Sequence, residues 1–431
     1  MAGQPMSGSE CIHCGFCLET CPTYVLTGKE EESPRGRILL AHALAENRMP
    51  LLRATMAPLD HCLGCLACET ACPSGVKYRD ILFEARRYAD EQGYARHAME
   101  RFLLRYVITH PSRLRVLVVF YRVLGVRTLL RGLAKISALP KTWRERGALS
   151  PTLETPTRGP AVVPNATGPR AILLRGCAAR VFMPGTETAM ARLLTRAGYR
   201  IERRDRPECC GALAHHAGMH ALAKDRAEET VASLGGESDA IVVATAAGCG
   251  AHLRDLAAVL PSGPTAVRAR ELALRVRDLS EALLEAPRPL TFNPSLKSTT
   301  VVFQDPCHLR HAQGIVDEPR RLLKSAGATL VEAEESDLCC GSAGSYHLAN
   351  PELSAPLARK KRGVLVATHA ETVVTANPGC WMQLRAVWPD AGPRLTTLAC
   401  FLEERLATDS LPTLAPVHDH GSSSPLETNT P

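Results

Sequence analysis

The chain has 431 residues, of which 45% are hydrophobic and 4% aromatic, and its length predicts two to four domains with sizeable cores. No apolar run approaches the roughly 18 residues of a membrane span, and residues 1–10 lack the basic start and apolar stretch of a secretion signal. With clustered cysteines among the total of 17, these features argue against a membrane-spanning protein and a secreted disulfide scaffold. We therefore expect a cytoplasmic protein.

Eight cysteines near the start form two runs with one spacing, Cys11-x-x-Cys14-x-x-Cys17-x-x-x-Cys21-Pro22 and Cys62-x-x-Cys65-x-x-Cys68-x-x-x-Cys72-Pro73. This is the bacterial ferredoxin spacing for 4Fe–4S clusters, in which the fourth cysteine ligates the neighbouring cluster. We predict a first cluster on Cys11, Cys14, Cys17 and Cys72, and a second on Cys62, Cys65, Cys68 and Cys21. Structural zinc and a disulfide framework are the alternatives, but zinc ribbons usually show separated Cys-x-x-Cys pairs.

Residues 1–95 are predicted to form a helical, ferredoxin-type two-cluster module. One helix is expected to end near Asn47, and another to run from about Tyr78 to Gln92. Arg35 and Arg37 lie between the two cysteine runs. They pair either with a negative cluster or with the carboxylates of a partner, or they are solvated arginines near a helix start.

Residues 96–146, the basic segment, contain 12 lysine or arginine residues against two acids, a local charge of +10 in a chain of net charge +7. Apolar residues are interleaved with these cations, which predicts basic amphipathic helices. Such helices either lie on an anionic membrane surface or dock on an acidic partner subunit. Nucleic acid is not expected as a partner, because nothing else in the chain supports it.

Residues 147–170 hold five prolines among Thr, Ser and Gly and are predicted to be a linker. The polar residues 408–431 are predicted to be a disordered tail.

Between the linker and the tail lies an internal repeat. In the first copy 31 residues separate Cys177 from Cys209-Cys210-Gly211, and in the second 31 residues separate Cys307 from Cys339-Cys340-Gly341. The last cysteines, Cys249 and Cys380, follow after 38 and 39 residues, so the chain contains two copies of one unit.

Each copy has predicted buried strands at equivalent places, Ala171–Leu174 and Ala240–Val243 in the first, and Thr300–Phe303 and Thr372–Thr375 in the second. Alternating strands and helices predict two α/β modules with mainly parallel sheets, residues 171–290 and 291–407. The cysteines then fall at strand ends, where open α/β sheets place ligands.

Four cysteines at one end of a sheet suit a further iron–sulfur or redox site in each module: Cys177, Cys209, Cys210 and Cys249 in the first, and Cys307, Cys339, Cys340 and Cys380 in the second. Buried apolar thiols and a redox-active vicinal disulfide are the alternatives. Cys400 lies outside the pattern and is expected in the core. His308 follows Cys307 directly, and we expect it to hydrogen-bond around the site.

The two ferredoxin motifs and the two Cys-Cys-Gly modules make the chain similar to the iron–sulfur subunits of bacterial glycolate oxidase. The resemblance covers nearly the whole chain apart from the linker and tail, and its more specific stretches are Asp305–Leu309, Cys339–Gly344, Asn377–Cys380 and Cys209–Leu213. Iron–sulfur subunits of lactate-utilisation and anaerobic glycerol-3-phosphate dehydrogenase systems, and heterodisulfide reductase, share this layout.

The resemblance implies an electron-transfer subunit of an oxidoreductase acting on CH–OH groups. FAD-containing subunits would oxidise glycolate to glyoxylate, and this chain would pass the electrons to a quinone-type acceptor at the inner membrane face. The chain has no G-x-G-x-x-G fingerprint and no evident acid–base pair, so we expect neither FAD nor a catalytic residue in it. The alternatives are a lactate or glycerol-3-phosphate dehydrogenase subunit, or a catalytic subunit like heterodisulfide reductase.

One departure concerns the ends of the modules. Heterodisulfide reductase modules end in Cys-x-x-Cys and hold a noncubane cluster, whereas this chain has Ala246 and Asn377 at the first of those positions. Four cysteines per module leave an ordinary cubane, another cluster type or no metal as the alternatives.

Overall fold

A computed structural model describes residues 10–94, 97–134, 139–149, 152–154, 167–204, 206–207, 209–236 and 239–407. Most of the predicted linker and all of the predicted tail lie outside these residues. The described chain confirms the predicted fold class, since a helical N-terminal part precedes two α/β halves.

The N-terminal part consists of short helices around an apolar cluster in which Ile38, Leu59 and Leu82 are at most 4% exposed. Its helices are α1 (Pro22–Thr27), α2 (Pro34–Ala45), α3 (Arg53–Asp60), α4 (Ala67–Thr70) and α5 (Tyr78–Glu91), with a 3₁₀ turn at Glu30–Glu32. The Ser33 hydroxyl accepts from the backbone N–H of Gly36, which caps α2. Both predicted helices of this part are present, as α2 and α5.

The described residues of the basic segment are largely helical, as predicted, and form α6 (Ala98–Leu103), a π-helical turn (Leu104–Ile108), α7 (Pro111–Val123), α8 (Val126–Ala134) and α9 (Lys141–Ala148). Its inner face is anchored by Leu104, Leu114 and Val118, which are all buried. Glu145 on α9 forms a two-point ion pair of 2.8 Å with Arg359. Within the described ranges no helix is long and apolar enough to cross a bilayer.

The first α/β half contains a four-stranded parallel sheet of order β2-β1-β3-β4. Its strands are β1 (Arg170–Leu174), β2 (Arg200–Arg204), β3 (Ile241–Ala244) and β4 (Val276–Arg277). Its helices are α10 (Ala178–Phe182), α11 (Pro184–Arg196), α12 (Ala212–His216), α13 (His220–Leu234), α14 (Ala247–Arg254), α15 (Pro264–Arg275) and α16 (Leu279–Leu284), with a 3₁₀ turn at Leu256–Val259.

The second half repeats this topology with the order β6-β5-β7-β8, all parallel. Its strands are β5 (Thr299–Gln304), β6 (Ala328–Val331), β7 (Thr372–Thr375) and β8 (Arg394–Thr397). Its helices are α17 (Cys307–Gln313), α18 (Asp317–Ser325), α19 (Tyr346–Ala349), α20 (Pro351–Val366), α21 (Pro378–Val387) and α22 (Leu398–Glu404). The equal strand order confirms the duplication.

The two halves share one apolar core, in which Leu193 on α11 packs in the same cluster as Phe303 on β5 and Phe401 on α22. Cys400 belongs to this core and is 6% exposed, as predicted. Because the strands of each sheet are parallel, their carboxyl ends, and the loops that carry the cysteines, lie at one edge.

Candidate metal centres

The two N-terminal cysteine runs follow the same backbone path. The residues before and after the second cysteine are left-handed in both, with φ of 54° at His13 and 88° at Gly15, and 62° at Gly64 and 65° at Leu66. Left-handed backbone costs a non-glycine residue about 1–2 kcal/mol. The same strained path in two loops of different sequence indicates a shared functional constraint.

Cys21 lies with the three first cysteines of the other run. The side chains of Cys21, Cys62, Cys65 and Cys68 line one small cavity, and its wall is completed mainly by Arg37, Tyr78 and apolar residues. Three of these cysteines are at most 9% exposed, and Cys62 is half-buried. The structure therefore brings together the four residues predicted for the second cluster.

The predicted ligands of the first cluster lie nearer the surface. Cys11, Cys17 and Cys72 pack half-buried against the N-terminal core, whereas Cys14 is exposed. Burial raises the pKa of Cys17, although the backbone N–H of Arg35 opposes that shift. The neighbouring Phe16 is 68% exposed, so this site opens to solvent.

The second-cluster site contains fixed positive charge. Arg37 is 1% exposed and its Nη1 lies 3.6 Å from Cys21 Sγ. Burial opposes ionisation of the Cys62 thiol, but Arg37, Arg86 and the Tyr78 hydroxyl together lower its pKa below the usual value. Arg37 thus lies against a cysteine predicted to bind the second cluster, whereas Arg35 forms an ion pair with Glu30 at 2.6 Å.

Pro22 directly follows Cys21, the fourth cysteine of the first run. It occupies the first position of α1, for which Cys21 is the N-cap residue. A missing N–H costs nothing at that position, so Pro22 begins a helix.

The cysteines of the first half gather at the carboxyl edge of its sheet. Cys177 precedes α10 after β1, Cys209 and Cys210 precede α12 after β2, and Cys249 lies in the first turn of α14 after β3. Hydrogen bonds from the Cys177 and Cys210 thiols lower the pKa of Cys209 well below its usual value. Gly211, with φ of 91°, directs its N–H to Cys209 Sγ at 3.5 Å.

The second half repeats this arrangement with Cys307 at the start of α17 and Cys380 on α21. Gly341, with φ of 81°, donates its N–H to Cys339 Sγ at 3.5 Å. A hydrogen bond with Cys339, together with burial, raises the pKa of Cys307 well above its usual value. Asn377 Nδ2 lies 3.3 Å from Cys380 Sγ, so the residue that replaces a cysteine acts as a donor.

The second-cluster loop packs directly on the second half. Leu63, Cys65 and Ala67 belong to one apolar cluster with Cys339, Tyr346 and Leu357, and Cys307 packs against it. The Tyr346 hydroxyl donates to the backbone oxygen of His61 at 2.9 Å. The interior N-terminal site and the cysteines of the second half are therefore neighbours.

Four histidines fill the junction between the Gly64 loop and the first half. The ring centroids of His216 and His308 are 5.1 Å apart, and those of His215 and His252 are 5.4 Å apart. Burial lowers the pKa of all four, to about 4 for His252, so they are neutral at pH 7. His308 Nε2 lies 3.0 Å from the Gly64 oxygen, a hydrogen-bonding role as expected.

Tyr78 and Lys361 are among the buried polar residues near the cysteines that were not identified from the sequence. The Tyr78 hydroxyl lies 3.5 Å from Cys62 Sγ, and the buried Lys361 donates to the Ser336 oxygen at 2.7 Å. Lys361 stands between Leu357 and Leu365 on the apolar stripe of α20, which is a sequence signal for a buried charge. Tyr78 has no such signal, because an aromatic residue at a helix start is ordinary.

The donor sets fit iron–sulfur clusters. Thiolate sulfur is the ligand such clusters require, and all 17 cysteines of the chain are free. Four of them surround one cavity, with a buried cation and a hydroxyl available to the sulfurs. Clusters bound there supply one-electron transfer, while the chain supplies the thiolates, the donors and the exclusion of water.

Comparisons with known proteins identify the domains that contain these cysteines. A family profile described as a 4Fe-4S dicluster domain matches residues 7–76, and one described as a cysteine-rich domain matches residues 172–254 and 301–385. The chain therefore carries iron–sulfur clusters.

Sequence identity to known proteins shows the family of this chain. The chain is 35% identical to the probable glycolate oxidase iron-sulfur subunit of Bacillus subtilis, covering 87% of this chain and 88% of that protein. It is also 35% identical to the glycolate oxidase iron-sulfur subunit of Escherichia coli, covering 87% and 89%. Lactate utilization protein A of Shouchella clausii is 25% identical over 48% of this chain and 87% of its own length. Similarity at this level along most of two relatives shows that the chain belongs to the family of glycolate oxidase iron–sulfur subunits.

Proposed function

We propose that this chain is the electron-transfer subunit of a glycolate oxidase complex. FAD-containing subunits oxidise glycolate to glyoxylate, and this chain passes the electrons to a quinone-type acceptor. The packing of Cys65 with Cys339 and Cys307 carries the proposal, because it places the second-cluster loop against the second half. Residues 1–95, 171–290 and 291–407 are its redox units, with the cysteines in the ligand roles that the sequence predicts.

The division of labour follows from the chemistry of the two kinds of cofactor. A reduced flavin gives up two electrons, whereas an iron–sulfur cluster accepts one. A series of one-electron centres therefore lets the flavin deliver its electrons singly. The half-exposed first-cluster site is suited to exchange electrons with a partner, and the buried second-cluster site passes them inward.

The test uses the purified complex under anaerobic conditions. Added glycolate should produce the EPR signals of reduced 4Fe–4S clusters, while the isolated, cluster-loaded chain should remain oxidised. Lactate and glycerol-3-phosphate, added separately, distinguish the related substrates. The proposal fails if a complex with full flavin and iron keeps its clusters oxidised with glycolate, or if the isolated chain itself oxidises glycolate.

We also propose that the basic segment binds the anionic cytoplasmic surface of the inner membrane, where a quinone is accessible. Of 20 large apolar side chains that are exposed in the described residues, 11 lie in this segment: Met99, Phe102, Tyr106, Val116, Leu117, Val119, Phe120, Val123, Leu124, Leu129 and Trp143. Exposed apolar and aromatic side chains among cations are typical of helices that lie in a membrane interface. Each cation near an anionic surface contributes about 1 kcal/mol.

Cosedimentation of the complex with phosphatidylglycerol and phosphatidylcholine vesicles tests this surface. Binding should require the anionic lipid, weaken in high salt and fall in the Phe120→Ser/Leu124→Ser variant. Leu274→Ser is the matched control, since Leu274 is 78% exposed outside the segment. Unchanged binding by the double variant would contradict membrane docking, and burial of the same face by the flavin subunits would assign it to subunit contact.

A further inference from the structure

The interior cluster site has side-chain hydrogen-bond donors that the surface site lacks. Arg37 Nη1 lies 3.6 Å from Cys21 Sγ, and the Tyr78 hydroxyl lies 3.5 Å from Cys62 Sγ. The backbone N–H of Gly64 also donates to Cys62 Sγ, at 3.4 Å. Among the described residues, no side-chain donor lies within hydrogen-bond distance of the first-cluster sulfurs of Cys11, Cys14, Cys17 and Cys72.

The Arg37 guanidinium is held rigidly in this position. Its Nε donates to the Pro58 oxygen at 2.6 Å, and its Nη2 donates to Thr23 Oγ1 and Glu32 Oε2, both at 2.8 Å. The Glu32 carboxylate has two partners, because its other oxygen lies 2.6 Å from His61 Nδ1. Arg37 therefore presents its remaining nitrogen to the cluster sulfur with no freedom to turn away.

A second buried cation lies at the same site. Arg86 is 4% exposed and donates to the backbone oxygens of Leu59, Cys62 and His216 at 2.7–2.8 Å. The carboxylate of Asp60 is also buried nearby on α3 and accepts from the Tyr94 hydroxyl at 3.0 Å. The Glu32 carboxylate thus offsets part of the Arg37 charge, and the direct hydrogen bonds to sulfur are the specific feature of the site.

Hydrogen-bond donors beside a cluster affect its reduction potential. Reduction of a 4Fe–4S cluster adds one electron and no proton, and a buried site offers little water to solvate the added charge. Burial therefore lowers the reduction potential, whereas hydrogen bonds to the sulfurs and nearby cations raise it. The surface site is stabilised by solvent, but the interior site depends on the donors that the protein supplies.

We propose that Arg37 and Tyr78 raise the reduction potential of the second cluster enough for it to accept an electron from the first. This inference deepens the proposed electron-transfer function and rests on it. In each step one electron leaves the first cluster and enters the second, and no proton moves. Arg37 supplies charge and a hydrogen bond, whereas Tyr78 supplies a hydrogen bond alone.

The test is a redox titration of the full, cluster-loaded chain with dithionite, followed by EPR, for wild type, Arg37→Gln, Arg37→Lys and Tyr78→Phe. The second-cluster midpoint should fall in Arg37→Gln and Tyr78→Phe while the first-cluster midpoint stays fixed. We expect at least a tenfold change in the ratio of reduced to oxidised second cluster for Arg37→Gln, which is 59 mV for one electron. Arg37→Lys, which keeps the charge, should shift less.

Arg35→Gln is the matched control, because Arg35 lies on the same helix but its guanidinium contacts Glu30 and the His13 oxygen of the first-cluster loop, so the second-cluster midpoint should stay unchanged. Iron and sulfide content must equal wild type for a variant to count. If Arg37→Gln does not assemble its clusters, Tyr78→Phe decides the outcome alone. Full iron with an unchanged second-cluster midpoint overturns this inference, whereas wild-type clusters that glycolate does not reduce in the complex overturn the proposed function instead.

Discussion

His308, which directly follows Cys307, has its Nε2 3.0 Å from the backbone oxygen of Gly64. This hydrogen bond joins the second-cluster loop to the start of α17. Gly64 is buried, and the burial-lowered pKa of His308 leaves a neutral ring that donates from this nitrogen. We expect His308→Leu to leave the Gly64 oxygen unpaired at a cost of about 1–3 kcal/mol. Iron should then leave the second cluster at least about fivefold faster in the presence of a chelator.

His308→Gln is the control for this prediction, because its amide can donate to the same oxygen. Its rate of iron loss should lie near that of wild type. The interpretation is wrong if the leucine and glutamine variants lose iron at the same rate.

EPR of single-cysteine variants should show which cluster each run's fourth cysteine ligates. Cys65→Ser and Cys21→Ala should both remove the second-cluster signal, because the two residues line one cavity. Cys14→Ser and Cys72→Ala should both remove the first-cluster signal. Loss of different signals in Cys21→Ala and Cys65→Ser would show that each run holds its own fourth cysteine. Iron content and complex activity should fall with each signal.

The iron count of the Cys-Cys-Gly modules can be measured on wild type and on the Cys210→Ala/Cys340→Ala variant. Both residues are 2% exposed and contact the neighbouring thiols, so each is central to its cysteine group. Because the two N-terminal clusters account for about eight irons, we expect a larger count that falls in the variant. About eight irons in both proteins would mean that the modules hold no cluster.

Strands buried within the sheet were predictable and edge strands were not. The strand at Thr372–Thr375 was predicted with its observed bounds, because a short run of β-branched residues packs well on the pleated surface of a buried sheet. The edge strand β2 reads Arg-Ile-Glu-Arg-Arg and has no apolar run, so nothing in its composition marks it. Its pairing with β1 depends on the fold around it.

The groups of cysteines were predictable from the sequence, because the same cysteine spacing occurs twice in the N-terminal runs and twice in the modules. The contacts that surround them were not, since they join distant parts of the chain. Tyr78 reaches Cys62 from the start of α5, and His308 reaches Gly64 across 244 positions. Arg37 is intermediate: its place between the runs suggested a cluster contact, but only the fold shows that it is buried.

The glycine of the second Cys-Cys-Gly motif should be required for stability. Gly341 has φ of 81°, and a Cβ added there would lie 2.7 Å from the Ser354 oxygen on α20. Gly341→Ala therefore combines a left-handed backbone cost of about 1–2 kcal/mol with a steric contact that α20 must relieve. Calorimetry should show the unfolding midpoint lowered by roughly 2–8 °C. Gly363→Ala on the same helix is the control, because its Cβ meets nothing within 4 Å and the change should stabilise the helix by about 0.5–1 kcal/mol. Equal midpoints for the two variants would show that neither the backbone conformation at Gly341 nor its approach to α20 limits stability.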